Sequence, residues 1–181
     1  MPGTGVVVGV YRVAAYLRFP AGLVALTSGL APRGPLHLRV AVLPPMRVGD
    51  PVRADGAVLS GAAWSVSLGV PTWTGPLPTA ARSHTPPGGR TQVRPCVRPR
   101  GPGCEPGPGA LLALASRVGG RGPGLTPAGD DLLAGVLLGT HAARGPDAEP
   151  ALLAVAASVR TTEVAAAFLR WAARGQCIEP A

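Results

Sequence analysis

Lysine is absent from this chain: all 17 basic residues among its 181 are arginine. That removes the lysine of a Walker-type phosphate loop and any lysine-activated phosphate. Acids are scarce, at nine, and the formal net charge is +8. Aromatics make up only 4% of the chain, so the core has to be assembled from Ala, Val and Leu. Small side chains bury little area each, which implies modest stability for the length and a role for a partner subunit. Cysteine is rare and odd in number: Cys96, Cys104 and Cys177 offer no CxxC pair and no disulfide framework. A structural zinc site is therefore not expected. No long uninterrupted apolar run occurs either. The N-terminal stretch MPGTGVVVGVYRVAAYLRF lacks a basic leader and is interrupted by Arg12 and Arg18. It reads as neither a signal peptide nor a membrane span, and a cytoplasmic protein with no membrane partner is the expectation.

The positive charge does not point to nucleic acid. Arg12, Arg18, Arg33, Arg39, Arg47 and Arg53 are scattered, and only Arg90, Arg94, Arg98 and Arg100 cluster, without interleaved aromatics. A nucleic-acid surface needs concentrated charge and, for single strands, stacking platforms. Arginine without lysine, together with abundant Ala, Gly and Pro, looks like the imprint of a GC-rich genome.

What is present divides the chain into three. Residues 1–76 read as short strands: VVVGVY (6–11), LVALTS (23–28), LHLRVAVL (36–43) and WSVSLGV (64–70). In the third, alternation places Leu36, Leu38, Val40 and Val42 on one face and His37 and Arg39 on the other, as in a half-buried strand. Asp55-Gly56, flanked by Val52 and Val58, predicts a hairpin. Residues 77–109 are dominated by Pro, Gly and Arg without periodicity and read as a linker. Residues 110–181 are helical: ALLALASRV stops at Gly119-Gly120, a second helix ends at Gly145-Pro146, Pro150 opens a third, and TTEVAAAFLRWAARG closes at Gly175. The expected fold is α+β, a small antiparallel β-sheet or barrel followed by a helical part that carries a glycine-rich loop.

That loop, GGRGPGLTPAGDDLLAGVLLG (119–139), holds five glycines and two prolines between Gly119 and Gly129. Thr126 as N-cap and Pro127 in the first turn would start a helix, with Asp130 and Asp131 favoured by the positive end of its dipole. Helical spacing then aligns Asp131, Gly135 and Gly139 on one bare stripe, beside a core-seeking face of Leu133, Val136, Leu137 and Thr140. Two mid-helix glycines cost about 1 kcal/mol each against Ala, so something should approach that stripe closely. Asp130 lies about 100° round the helix from Asp131. Bare backbone at Gly120, Gly122 and Gly124 suits an anion, whereas two aspartates repel a naked phosphate. A phosphate held with Mg²⁺ by Asp130 and Asp131, or a ligand presenting amide N–H groups, fits the pattern better. On residues alone, Gly120, Gly122, Gly124, Thr126, Gly129, Asp130 and Asp131 are candidate ligand contacts, and a purely structural helix start is the alternative.

The same stretch resembles the signature of the bacterial AllH-type family, G-x-G-P-G-L-T-P-S-G-D-D followed by an apolar helix. Gly120, Gly122, Pro123, Gly124, Leu125, Thr126, Pro127, Gly129, Asp130 and Asp131 match it, and Ala128 replaces the usual Ser. Fainter similarity lies at residues 34–40 and 49–52 and in RTTEVAAAFLRWAARG. Members continue beyond their last helix, so a chain stopping at Ala181 suggests a reduced or divergent form. The resemblance implies a subunit associated with oxamate carbamoyltransferase in allantoin (purine) degradation, a carbamoyl or small anionic ligand, and other protein subunits as partners. The chain looks poorly equipped to transfer a carbamoyl group alone. It has no evident nucleophile–base pair and only His37, His84 and His141. His37 is expected to be solvated on its strand's polar face, and His141 to complement a helix C-terminus. The alternative to a ligand-binding subunit is a non-catalytic scaffold whose glycine stripe packs against a partner.

Overall fold

The computed structural model describes residues 2–73, 75 and 107–178. Most of the expected linker, with His84, Cys96, Cys104 and the clustered arginines at 90, 94, 98 and 100, lies outside the described residues. Seven strands come first: β1 (Gly3–Val10), β2 (Ala14–Phe19), β3 (Gly22–Thr27), β4 (His37–Arg39), β5 (Pro51–Ala54), β6 (Val58–Gly61) and β7 (Trp64–Ser67). They form one curled sheet in the order β4-β3-β2-β1-β5-β6-β7. Four helices follow: α1 (Pro108–Val118), α2 (Ala128–Arg144), α3 (Glu149–Ser158) and α4 (Glu163–Ala173). The molecule is α+β, as its sequence indicated.

Period-two alternation sets the two faces of the sheet. Val7 of β1, Leu17 and Phe19 of β2, Leu26 of β3, Val52 of β5 and Leu59 of β6 gather inside the curl. Their neighbours Val8, Tyr16 and Leu23 face the other way, against Val164, Ala167, Phe168 and Trp171 of α4. The helices have their own core, in which Leu111, Leu133, Leu137, Leu152, Val155 and Leu169 meet. α4 therefore serves both layers, with Leu169 and Ala172 turned to the helices and Val164 and Ala167 to the sheet. No described helix is long and apolar enough to cross a membrane.

Several details depart from the sequence expectations. β2 was not among the expected strands; it pairs with β1 and β3 along its length. The sheet is antiparallel except at β3–β4, which run parallel. The strand expected over residues 36–43 is paired only at His37–Arg39, and Val42 is 79% exposed rather than facing the core. The backbone leaves the ladder after Val40 N–H donates to the Thr27 carbonyl, and Pro44 and Pro45 follow without an N–H to continue it. The hairpin at Asp55-Gly56 forms between β5 and β6, with the Asp55 carboxylate accepting the Ala57 and Val58 N–H groups.

Candidate functional site

The glycine loop occupies the gap between the end of α1 and the start of α2, and the chain's own backbone fills most of it. Arg121 N–H donates to the Val118 carbonyl at 3.1 Å, and Gly129 N–H donates to the Arg121 carbonyl at 3.0 Å. Gly129 sits so tightly that a Cβ there would overlap the Val118 carbonyl oxygen. At Gly120 a Cβ would strike the Arg160 carbonyl, and at Gly122 it would lie 2.9 Å from the Ala128 nitrogen. Gly120 and Gly122 also have φ of +68° and +123°, where an L side chain is strained. Gly124 (φ +94°) has open space beside it.

Asp130 ties this loop to the far side of the helical layer. It is 2% exposed, an unusual position for a carboxylate unless it is well partnered. Its Oδ1 accepts the Gly120 N–H at 2.8 Å and its Oδ2 accepts the Thr161 hydroxyl. The next residue, Thr162, caps α4 by accepting the Ala165 N–H at 3.1 Å, while its own hydroxyl donates to the Leu125 carbonyl. Thr161 and Thr162, placed just before α4, thus anchor both ends of the loop. Neither was singled out as a site residue in the sequence. The available signal was a Thr-Thr-Glu entry to an apolar helix, which marks a cap but not the loop partners 31 and 37 residues earlier.

The start of α2 differs from expectation by one residue. Pro127 is the N-cap, its carbonyl accepting the Asp130 and Asp131 N–H groups at 2.8 and 3.1 Å. Thr126 is exposed and makes no side-chain cap bond. The Pro127 ψ of 142° keeps Thr126 outside the first turn, so its hydroxyl does not take an orphan N–H. The two aspartates separate as the helical angle required: Asp130 turns inward, and Asp131 stays exposed. Desolvation and then the neighbouring Asp130 carboxylate push the Asp131 carboxyl above its ordinary pKa. Among the described residues no group of three or more His, Cys, Asp or Glu could hold a metal ion. With Asp130 engaged on both oxygens, the pair does not converge on a common outward point.

Beyond the loop, α2 presents the bare stripe. Asp131, Leu132, Gly135 and Gly139 are all exposed, and a Cβ built on either glycine meets nothing within 4 Å. Leu133 and Leu137, on the opposite face, are fully buried. Among the described residues the amides of Gly122, Gly124, Leu125 and Thr126 have no hydrogen-bond acceptor.

The two histidines within the described residues are less solvated than expected. His141 packs its ring over Gly175, where a Cβ would come within 2.5 Å of it, and its Nδ1 lies 3.1 Å from the Ala173 carbonyl. It joins α2 to the end of α4 instead of simply facing a helix dipole. His37 is half-buried, edge-on to Phe168 of α4, with its Nδ1 2.8 Å from the Pro32 carbonyl. Burial pushes its pKa down.

Fold and site together define an α+β protein whose helical layer carries a self-braced glycine loop and a bare helix face. Residues 118–181 match the family model described as oxamate carbamoyltransferase subunit AllH. The AllH-type resemblance recognised in the sequence therefore holds over that segment, which runs from the end of α1 through the loop, α2, α3 and α4. It covers about a third of the chain, and the strand-rich part lies outside it. No curated protein and no solved structure matches the chain.

Proposed function

We propose that this protein is a subunit of a carbamoyl-transfer assembly of the oxamate carbamoyltransferase type, and that the exposed face of α2 is where another subunit docks. The observation that carries this reading is the open space over Gly135 and Gly139. Each glycine weakens the helix by about 1 kcal/mol relative to Ala, and among the described residues nothing requires its smallness. A partner backbone or helix approaching closely would require it. Leu132, 55% exposed beside the stripe, supplies apolar area for the same contact. The family description, which names a subunit, agrees with a role inside a larger assembly. On this reading the protein works in the cytoplasm and does not transfer the carbamoyl group by itself.

The test is co-expression with carbamoyltransferase subunits, followed by gel filtration and a carbamoyl-transfer assay. Gly139→Leu is expected to leave the isolated chain folded and to abolish co-elution and transfer activity together. A Gly139→Leu protein that assembles and supports transfer like the parent would sink the docking role of this face.

A second reading has its own observation. The amides of Gly122, Gly124, Leu125 and Thr126, without an acceptor among the described residues, lie in the loop that leads into the positive end of α2, whose first turn carries the exposed Asp131. Here the loop holds a small anionic or amide-bearing ligand, with the amides facing its acceptor oxygens and Asp131 its N–H groups. A thermal-shift titration with carbamoyl phosphate, with and without Mg²⁺, separates the two readings. A saturable rise in melting temperature that disappears in Asp131→Asn supports the ligand loop, and the absence of any shift leaves the loop as structure alone.

A further inference from the structure

A second concave site lies where the sheet meets α4, between the β2–β3 turn, the loop before β4 and the C-terminal half of the helix. Its volume of about 530 Å³ is within the range of small-molecule sites. Leu23, Leu36 and Ala167, all buried, and the half-buried Trp171 ring give it an apolar floor. Arg170 and Arg174, one helical turn apart and both exposed, line the same pocket. Among the described residues the Arg170 guanidinium has no hydrogen bond or ion pair. Arg174 lies over the Trp171 ring, 5.3 Å from its centre, and its Nε is 3.7 Å from Glu149. That arrangement holds the indole in place and engages only one of the three Arg174 nitrogens with an acid.

The sheet adds a length of open backbone edge. In a strand the N–H and C=O of one residue point to the same side, and successive residues alternate. Along β3 the odd-numbered residues turn towards β4: Ala25 N–H donates to the Leu36 carbonyl at 2.8 Å, and the Thr27 carbonyl accepts the Val40 N–H at 2.8 Å. Leu23 shares that parity, so its N–H and C=O point away from β2, where Arg18 lies opposite it. The β3–β4 ladder starts only at Ala25 and His37, and the same register carried back sets Pro35 opposite Leu23. Proline has no N–H to give, and the ladder is not extended there. Among the described residues both backbone groups of Leu23 are therefore without a partner, on the side where Leu23 and Pro35 line the pocket.

We propose that this pocket binds an N-acylated amino acid with an apolar side chain. The Arg170 guanidinium takes the carboxylate, for which its forked donors are suited, and Arg174 adds positive charge one turn away. The ligand's side chain covers Leu23, Leu36, Ala167 and the Trp171 ring. Its amide pairs with the N–H and C=O of Leu23, as a short extra strand does at an open sheet edge. Each part of the ligand thus answers a separate feature of the pocket: charge, apolar floor and backbone edge. The proposal is independent of the docking face on α2 and of the glycine loop.

N-acetyl-L-leucine is the probe, followed by calorimetry and by the Trp171 indole N–H signal in NMR spectra, assigned with Trp171→Phe. It is expected to bind saturably below about 10 mM and to shift that signal. Arg170→Gln should weaken binding about tenfold, consistent with the loss of one charge-assisted pair. The residue is exposed, so circular dichroism should show unchanged folding. Arg117→Gln, which removes the same charge from an exposed position on α1, should bind like the parent. 4-Methylpentanoate, which keeps the carboxylate and the apolar chain but lacks the amide, should bind about tenfold more weakly, and acetate should not saturate in the same range. No saturable binding of N-acetyl-L-leucine, binding untouched by Arg170→Gln, or equal affinity for 4-methylpentanoate or acetate would each overturn the proposal.

Discussion

Two neighbouring groups of glycines, six positions apart at their nearest, do opposite things. In the loop, Gly120, Gly122 and Gly129 are required by the protein itself: carbonyls of Val118 and Arg160 and the Ala128 nitrogen occupy the space a side chain would need. On α2, Gly135 and Gly139 face open space. A glycine in a helix is a cost that calls for an explanation, and only the first group finds one among the described residues. The comparison shows why a glycine-rich motif is not by itself a ligand cradle. Much of this one is the close fit of a loop onto the helices that flank it, and the docking face we propose lies where the fit is missing.

The sharpest way to break the comparison is at Gly129. Gly129→Ala forces a methyl group into the Val118 carbonyl, and we expect a loss of about 3 kcal/mol or more of stability, read as a lowered denaturant midpoint. Next is Asp130, itself buried, whose removal takes the acceptor from the Gly120 N–H and the Thr161 hydroxyl in two part-buried bonds. Asp130→Ala should cost about 2–3 kcal/mol in the same experiment. Retained stability in either variant would mean that the loop is not braced as described. Smaller effects distinguish the two threonines near the helix starts. Thr162→Ala should cost about 1 kcal/mol through loss of the α4 cap, whereas Thr126→Ala should cost almost nothing.

The smallest effect concerns pH. Because desolvation and Asp130 raise the Asp131 pKa in the folded protein, the folded state holds that proton more tightly than the unfolded chain. The associated stability is present below the ordinary carboxylate pKa and is lost as pH rises through the raised value. Melting temperature followed from about pH 3 to about pH 6 should therefore show a slight downward component in the parent that is missing in Asp131→Asn. A difference between the two proteins that grows in the opposite direction would contradict the assignment.

The sequence made the helices legible because glycine and proline punctuate them: Gly119, Gly145 and Gly175 fall just after or near the ends of α1, α2 and α4. The hairpin at Asp55-Gly56 was legible for the same reason. β2 was not, since AAYLRF has no β-branched residue, and its strand state is imposed by β1 and β3 on either side. The divergence of Asp130 and Asp131 followed from helical geometry, but which of them would be buried depended on Thr161. That residue lies thirty-one positions away, and no local pattern links it to the loop. The same limit hid the pocket beside α4, whose lining comes together only when the β2–β3 turn and the loop before β4 meet that helix.

The central claim is that the α2 glycine face, open among the described residues, is used by a partner, and thermal unfolding of the Gly135→Ala, Gly139→Ala double variant tests it most directly. Measured alone, the variant should be more stable than the parent by about 2 kcal/mol, roughly 1 for each glycine replaced. Measured within the assembled complex, that gain should be lost or reversed. A double variant less stable than the parent when alone, or equally stabilised in the complex, would contradict the account.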